Sequence, residues 1–90
     1  MEIVRVKRGD TVVKLAVFGD LRFSMRVGYA LAKEGVVSEA DVVRFFEERR
    51  PVPAALGKSS IGEVVMLMTA GKIKISTESY WYWRGVARIR

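Results

Sequence analysis

The sequence predicts an α+β fold in which a β-hairpin, three helices and a second β-hairpin form one domain over residues 1–90. Three observations predict this order. Apolar and polar residues alternate near both ends of the chain, which is typical of half-buried strands. Between those ends, apolar residues recur at spacings of three and four, as they do on one face of a helix. A chain of 90 residues also has the length of one small domain.

The first hairpin is predicted from two short alternating runs. Residues 4–7 alternate valine with arginine or lysine. In residues 13–17 the apolar residues Val, Leu and Val alternate with Lys14 and Ala16. Residues 8–11, with the sequence Arg-Gly-Asp-Thr, have the composition of a hairpin turn. A Phe-Gly-Asp sequence then ends the second strand, and Asp20 is the predicted N-cap of the first helix.

Two helices are predicted next, each bounded by a stop signal. The first covers Leu21–Lys33 and ends at Gly35, and its apolar face consists of Phe23, Val27, Ala30 and Leu31. The second opens at Ser38, because this serine precedes acidic residues that suit the positive end of a helix dipole. Pro51 and Pro53 end the second helix.

The third helix is predicted to be apolar over most of its circumference. Ser59 or Ser60 caps it and Gly71 ends it, and one stripe consists of Ile61, Val64, Val65 and Met68. Met66 and Leu67 lie off that stripe. A helix of this kind either is sandwiched inside the fold or binds a partner.

A second hairpin is predicted at the C-terminus, with a long strand over Tyr80–Arg90. Alternation sorts this strand into a core face of Trp81, Trp83, Gly85, Ala87 and Ile89. The opposite face carries Tyr80, Tyr82, Arg84, Val86, Arg88 and Arg90. If all strands share one sheet, this exposed face also gains Lys72, Lys74, Arg5, Lys7 and Lys14.

The residue types that are missing limit the possible chemistry. The chain contains no Cys, His, Asn or Gln. Without Cys and His it lacks the commonest transition-metal ligands, a thiolate nucleophile and the commonest general base, so we expect neither an enzyme nor a cofactor. Absence of the thermolabile types beside abundant Glu, Lys and Arg indicates a thermophile or one of its viruses.

Targeting signals are also missing from the sequence. The N-terminus lacks a signal-peptide pattern, and no apolar run approaches the about 18 residues that span a bilayer. We therefore expect a cytoplasmic protein with no membrane partner.

Positive charge is concentrated near the C-terminus. The net charge is +6, and residues 72–90 carry five basic residues and one acidic residue. Such a segment favours a polyanionic partner, since Lys and Arg neutralise phosphates and aromatic rings stack on bases or sugars.

The order of elements over residues 21–90 resembles the winged helix-turn-helix superfamily. The resemblance implies that the third helix enters the DNA major groove, with Lys58, Ser59, Ser60, Gly62 and Glu63 at the recognition positions. It also implies that the C-terminal hairpin is a wing that contacts the backbone through Arg84 and its neighbours. The third helix has no Arg or Lys after Lys58, which favours phosphate contacts over base reading.

The predicted function is therefore binding of double-stranded DNA by a homodimer, in a regulatory or architectural role. The predicted phosphate contacts are Lys72, Lys74, Arg84, Arg88 and Arg90. One alternative is a protein–protein interaction subunit that docks through Met66 and Leu67 of the third helix. Another is binding of single-stranded RNA or DNA by stacking on Tyr80 and Tyr82.

Overall fold

The structure of the protein, a computed structural model, describes residues 1–89. Three antiparallel strands precede four helices, in the order β1 Glu2–Arg8, β2 Thr11–Phe18, β3 Leu21–Ser24, α1 Met25–Lys33, α2 Glu39–Glu47, α3 Lys58–Thr69 and α4 Thr77–Ile89. The predicted arrangement of three helices between two hairpins, like a winged helix, is therefore wrong. An N-terminal hairpin is present, but a third strand follows it and a helix replaces the C-terminal hairpin.

The strands form one sheet in the order β1-β2-β3, with two chemically different faces. Ile3 lies opposite Ala16, and Ala16 lies opposite Phe23. Side chains that lie directly opposite one another share a face. The face that contains Ala16 and Phe23 also carries Phe18 and Leu21, and these four side chains are buried. Helix α1 packs on this inner face.

The third strand replaces the start of the predicted first helix. Leu21–Ser24 pairs with β2, so Leu21 and Phe23, two residues apart, both point into the core. Helix α1 begins at Met25, and Ser24 rather than Asp20 is its N-cap. The prediction failed because Phe23 fits both a helical and an alternating pattern, and pairing with β2 decided between them.

The predicted start of the second helix is confirmed. The Ser38 hydroxyl accepts a hydrogen bond from the Asp41 N–H at 3.1 Å, and the Asp41 carboxylate accepts one from the Ser38 N–H at 3.2 Å. This reciprocal pair is a capping box. Hydrogen bonds from the N–H groups of Val37 and Ser38 hold the pKa of Asp41 below its usual value.

Helix α3 is sandwiched inside the fold. Its buried residues Ile61, Val64 and Met68 belong to the core, and α4 packs along it. Gly57 is its N-cap, with no side-chain hydrogen bond, so the predicted cap at Ser59 or Ser60 is wrong. Of the two explanations for an all-round apolar helix, packing within the fold accounts for most of its surface.

Helix α4 stands where the C-terminal hairpin was predicted. Its inward residues are Ser79 and Trp83, four positions apart, and Trp83 is completely buried. By contrast Trp81 is 58% exposed and Ile89 87% exposed, although the alternation had placed both in the core. Ser76, just before the helix, caps its N-terminus, because the Ser76 hydroxyl accepts a hydrogen bond from the Ser79 N–H at 3.2 Å.

Candidate nucleic-acid interface

The outward side of α4 carries the predicted contact residues Arg84 and Arg88. Successive residues of a helix are about 100° apart, so Arg84 and Arg88 lie on the side away from the buried Trp83. Trp81 lies on that same side, and Tyr80 lies at its edge and is half-buried. The loop before the helix adds an exposed lysine. We call this set the α4 surface, which consists of Lys74, Tyr80, Trp81, Arg84 and Arg88.

Arg84 lies over both aromatic rings of the α4 surface, those of the half-buried Tyr80 and the exposed Trp81. Its guanidinium carbon lies 5.9 Å from the centre of the Tyr80 ring and 5.0 Å from that of Trp81. The two rings meet edge to face at 5.4 Å, and the Tyr80 hydroxyl lies 2.9 Å from the Thr69 hydroxyl. These contacts hold the rings in place while Arg84 itself remains exposed.

The cations of this surface are not neutralised by carboxylates. Within residues 1–89, neither Arg84 nor Arg88 forms an ion pair, and neither do Lys72 and Lys74. Residues 72–90 contain one acidic residue, Glu78. Its carboxylate lies 3.9 Å from the guanidinium of Arg49, in the loop after α2. The positive charge of Lys72, Lys74, Arg84 and Arg88 is therefore available to an anionic partner.

Tyr82 does not share a side with Tyr80, contrary to the predicted strand face. Two residues along a helix are about 200° apart, and Arg49 lies over the Tyr82 ring at 5.3 Å. Trp81 belongs to the α4 surface, and the sequence prediction had not included it. Helical spacing from Arg84 and Arg88 would have placed it beside them, whereas alternation placed it in the core.

An open pocket adjoins the α4 surface. It has a volume of about 470 Å³ and lies where α3 ends and α4 begins. Its lining combines apolar side chains with hydroxyls and one amine, from Met68, Thr69, Gly71, Ile73, Lys74, Ile75, Thr77 and Tyr80.

The predicted recognition positions lie on a different element. Lys58 and Ser59 are exposed in the first turn of α3, but Ser60 is only 6% exposed and faces the interior. Ser59 lines a second open pocket, of about 530 Å³, with Arg22 and Met66 instead of joining the α4 surface. Of the other predicted residues, Lys72 is exposed beside Lys74, and Arg90 lies outside the described residues.

The predicted protein-binding residues of α3 differ in exposure. Met66 is 73% exposed, whereas Leu67 is half-buried and packs against the core. Both nevertheless line the same open pocket beside Gly62 and Glu63.

The basic residues at the two ends of the chain do not share a sheet. Arg5 and Lys14 lie directly opposite each other on the N-terminal hairpin, and Lys7 follows on the same face. Because residues 77–89 form a helix, the predicted continuous basic sheet face does not exist.

Within residues 1–89, no group of three acidic side chains is arranged to hold a metal ion. None of the four described helices combines the length and apolarity that crossing a membrane requires.

No protein-family model, no curated protein and no solved structure matches this chain.

Proposed function

We propose that this protein binds double-stranded DNA through the α4 surface. The observation that carries the proposal is Arg84, which is exposed, lies over the rings of Tyr80 and Trp81, and forms no ion pair within residues 1–89. Arg88 extends the positive charge by one helical turn, and Lys72 and Lys74 extend it across the preceding loop. Such cations contact phosphates, and release of counterions from the DNA then drives binding.

The shape of the surface favours a duplex. Helix α4 has 13 residues and is therefore about 20 Å long. A convex helix fits the major groove, which is about 12 Å wide, whereas single strands are usually bound in a groove of the protein. The rings of Tyr80 and Trp81 are also already covered in part by Arg84, so they form a poor free platform for bases.

Reading of the base sequence is expected to be weak. No Asn or Gln is present to make the two hydrogen bonds that identify adenine. Arg84 and Arg88 are able to read guanine, but the remaining outward residues of α4 offer little further discrimination. Contacts to phosphates suit an architectural role, or a regulatory one that uses DNA shape.

A protein-binding role for α3 has less support. Most of its apolar residues are covered by the core and by α4, and Met66 alone among its large apolar residues is strongly exposed.

The proposal is tested by fluorescence anisotropy with a labelled duplex and with each of its separated strands, at low and at moderate salt. We expect the duplex to bind more tightly than either strand, and its affinity to fall steeply as salt increases. Tighter binding of a single strand would contradict the duplex proposal and would support binding of single strands by base stacking. An absence of binding at low salt would reject nucleic acid as the partner.

A further inference from the structure

The sheet face that points away from α1 is aliphatic at its centre, and the charged residues Glu2, Arg8 and Arg22 lie around that centre. Cross-strand pairing places Val4 opposite Leu15 and Val6 opposite Val13, with Val17 next to Leu15 along the face. All five are half-buried, yet none belongs to the hydrophobic core or packs against it. We call these five residues the outer sheet face.

This arrangement is the reverse of that in an ordinary surface hairpin. An antiparallel sheet that is covered on one side usually presents polar residues to solvent on the other. Here the inner face, beyond its buried part, carries the charged Arg5, Lys7 and Lys14 beside the exposed Ile3 and Val12. The contiguous aliphatic cluster lies on the uncovered face. A contiguous apolar patch of this kind marks an interaction surface.

We propose that the outer sheet face is the interface of a symmetric homodimer, formed with a second copy of this chain. A two-fold contact uses the same patch on both subunits, so the patch has to match itself. The centre of the outer sheet face is uncharged and therefore meets this requirement. Two apolar sheets pack in this way about 10 Å apart, with their strands nearly aligned.

Charges at the ends of β1 determine the relative direction of the two copies. Glu2 and Arg8 point to the same side as Val4 and Val6, and they lie about 20 Å apart at opposite ends of the strand. With the two β1 strands antiparallel, Glu2 of each copy lies over Arg8 of the partner subunit. A parallel arrangement would place like charges together, so the antiparallel arrangement is favoured.

The size of the patch sets the expected affinity. Each strand of the hairpin is about 23 Å long, and two adjacent strands present a footprint of a few hundred Å². Stable interfaces bury about 800 Å² on each partner. We therefore expect a dimer that dissociates on dilution to micromolar concentrations.

The apolar contact is tested by changing one cross-strand pair without a change in net charge. Val6→Lys together with Val13→Glu places opposite charges on facing residues, which preserves the hairpin. The matched control, Val12→Glu, creates the same type of pair with Lys7 on the inner face. Circular dichroism checks that each variant is folded.

Sedimentation equilibrium without nucleic acid gives the result. The unchanged protein and Val12→Glu should dimerise between micromolar and submillimolar concentrations, and the double variant should remain monomeric. A monomeric unchanged protein at the highest concentration would overturn the proposal, as would a dimeric double variant. Because no DNA is present, the outcome is independent of the proposed DNA binding.

Exchange of the end charges tests the antiparallel arrangement. Glu2→Arg and Arg8→Glu should each weaken the dimer by about tenfold, since each change replaces two attractive contacts with repulsive ones. The combination of both changes recreates the attractive pairs and should restore dimerisation. If the double variant instead dimerised more weakly than either single variant, the antiparallel arrangement would be ruled out. This charge series also tests the dimer if the Val6/Val13 variant does not fold.

Discussion

Gly28 is the residue at which α1 lies closest to the sheet. A Cβ atom built on Gly28 would lie 2.1 Å from the Cβ of Ala16, which is far inside van der Waals contact. Both residues are buried. The small size of this pair therefore sets the distance between the helix and the inner face of the sheet.

Replacement of Gly28 tests this close approach. Gly28→Ala should lower the free energy of unfolding by about 1–3 kcal/mol, because the helix has to move away from Ala16. Gly62→Ala is the matched control, since its added methyl group meets open space in the middle of α3. There we expect stabilisation by about 0.5–1 kcal/mol. Urea unfolding measures both changes, and equal effects at the two glycines would contradict the packing argument.

Trp83 and Trp81 are two residues apart and occupy opposite environments. The Trp83 indole N–H donates a hydrogen bond of 2.7 Å to the Phe46 carbonyl, and its ring contacts the Phe46 ring edge to face at 5.1 Å. Trp83→Phe should therefore cost about 2–3 kcal/mol, from a cavity and an unpaired buried carbonyl. Trp81→Phe, on the surface, should change stability by less than about 0.5 kcal/mol. Thermal or urea unfolding of the two variants distinguishes these roles.

At the scale of elements, α2 fixes the start of α4. The Glu47 carboxylate accepts hydrogen bonds from the Ser76 N–H and the Ser76 hydroxyl, both at 2.7 Å, and a very short one from the Ser79 hydroxyl. These bonds, that from Ser79 most of all, hold the pKa of Glu47 below its ordinary value of 4.5. The end of one helix thus caps the beginning of another, which orients the α4 surface.

This contact makes the attachment of α4 sensitive to acid. A carboxyl group with a pKa lowered by folding stabilises the protein when the pH is above its unfolded pKa, and the stabilisation is lost as pH falls through the lower, folded value. Stability should therefore decline as the pH falls below about 4.5. Glu47→Gln should reduce stability at neutral pH and flatten that decline. Glu48→Gln, at a side chain that makes none of these bonds, is the control, and an identical pH profile for both variants would contradict this role.

Elements with local signals could be predicted, and elements defined by distant contacts could not. Ser38 and Asp41 form a capping box within four residues, so the sequence alone locates the start of α2. The start of α4 depends on Glu47, which lies 29 residues before Ser76. In addition, Tyr and Trp favour strands, so the alternating run Tyr80–Trp83 indicated a strand although these residues lie in a helix.

The candidate site was predictable in charge but not in geometry. Exposed cations at Lys72, Lys74, Arg84 and Arg88 follow from composition, since unpaired Lys and Arg are rarely buried. Their predicted arrangement was wrong, because residues that share one face of a strand lie on several sides of the helix that the structure has instead. For this reason the α4 surface includes Trp81, which was predicted in the core, and excludes Tyr82, which was predicted beside Tyr80.

For the whole molecule, positive charge lies at both ends of the chain and negative charge lies between them. Residues 1–33 carry seven basic and three acidic residues, residues 34–71 carry four and six, and residues 72–90 carry five and one. The helices α2 and α3, which contribute much of the core, thus belong to the acidic part. A polyanion is therefore expected to engage the protein through its basic ends. At the C-terminal end, the exposed Arg84 also lies over the rings of Tyr80 and Trp81.

Salt dependence counts the proposed phosphate contacts. Each contact contributes about 0.9 to the slope of log affinity against log salt, so the four cations Lys72, Lys74, Arg84 and Arg88 predict a slope of about −4 for one bound chain. Replacing Arg84 and Arg88 with Ala should reduce that slope by about two and weaken binding to all duplex sequences alike. Replacing Arg26 and Lys33 of α1, two exposed cations that change net charge equally, should leave the slope nearly unchanged. Anisotropy titrations at several salt concentrations measure all three slopes. If the α1 variant lost as much slope as the α4 variant, net charge rather than the α4 surface would govern binding.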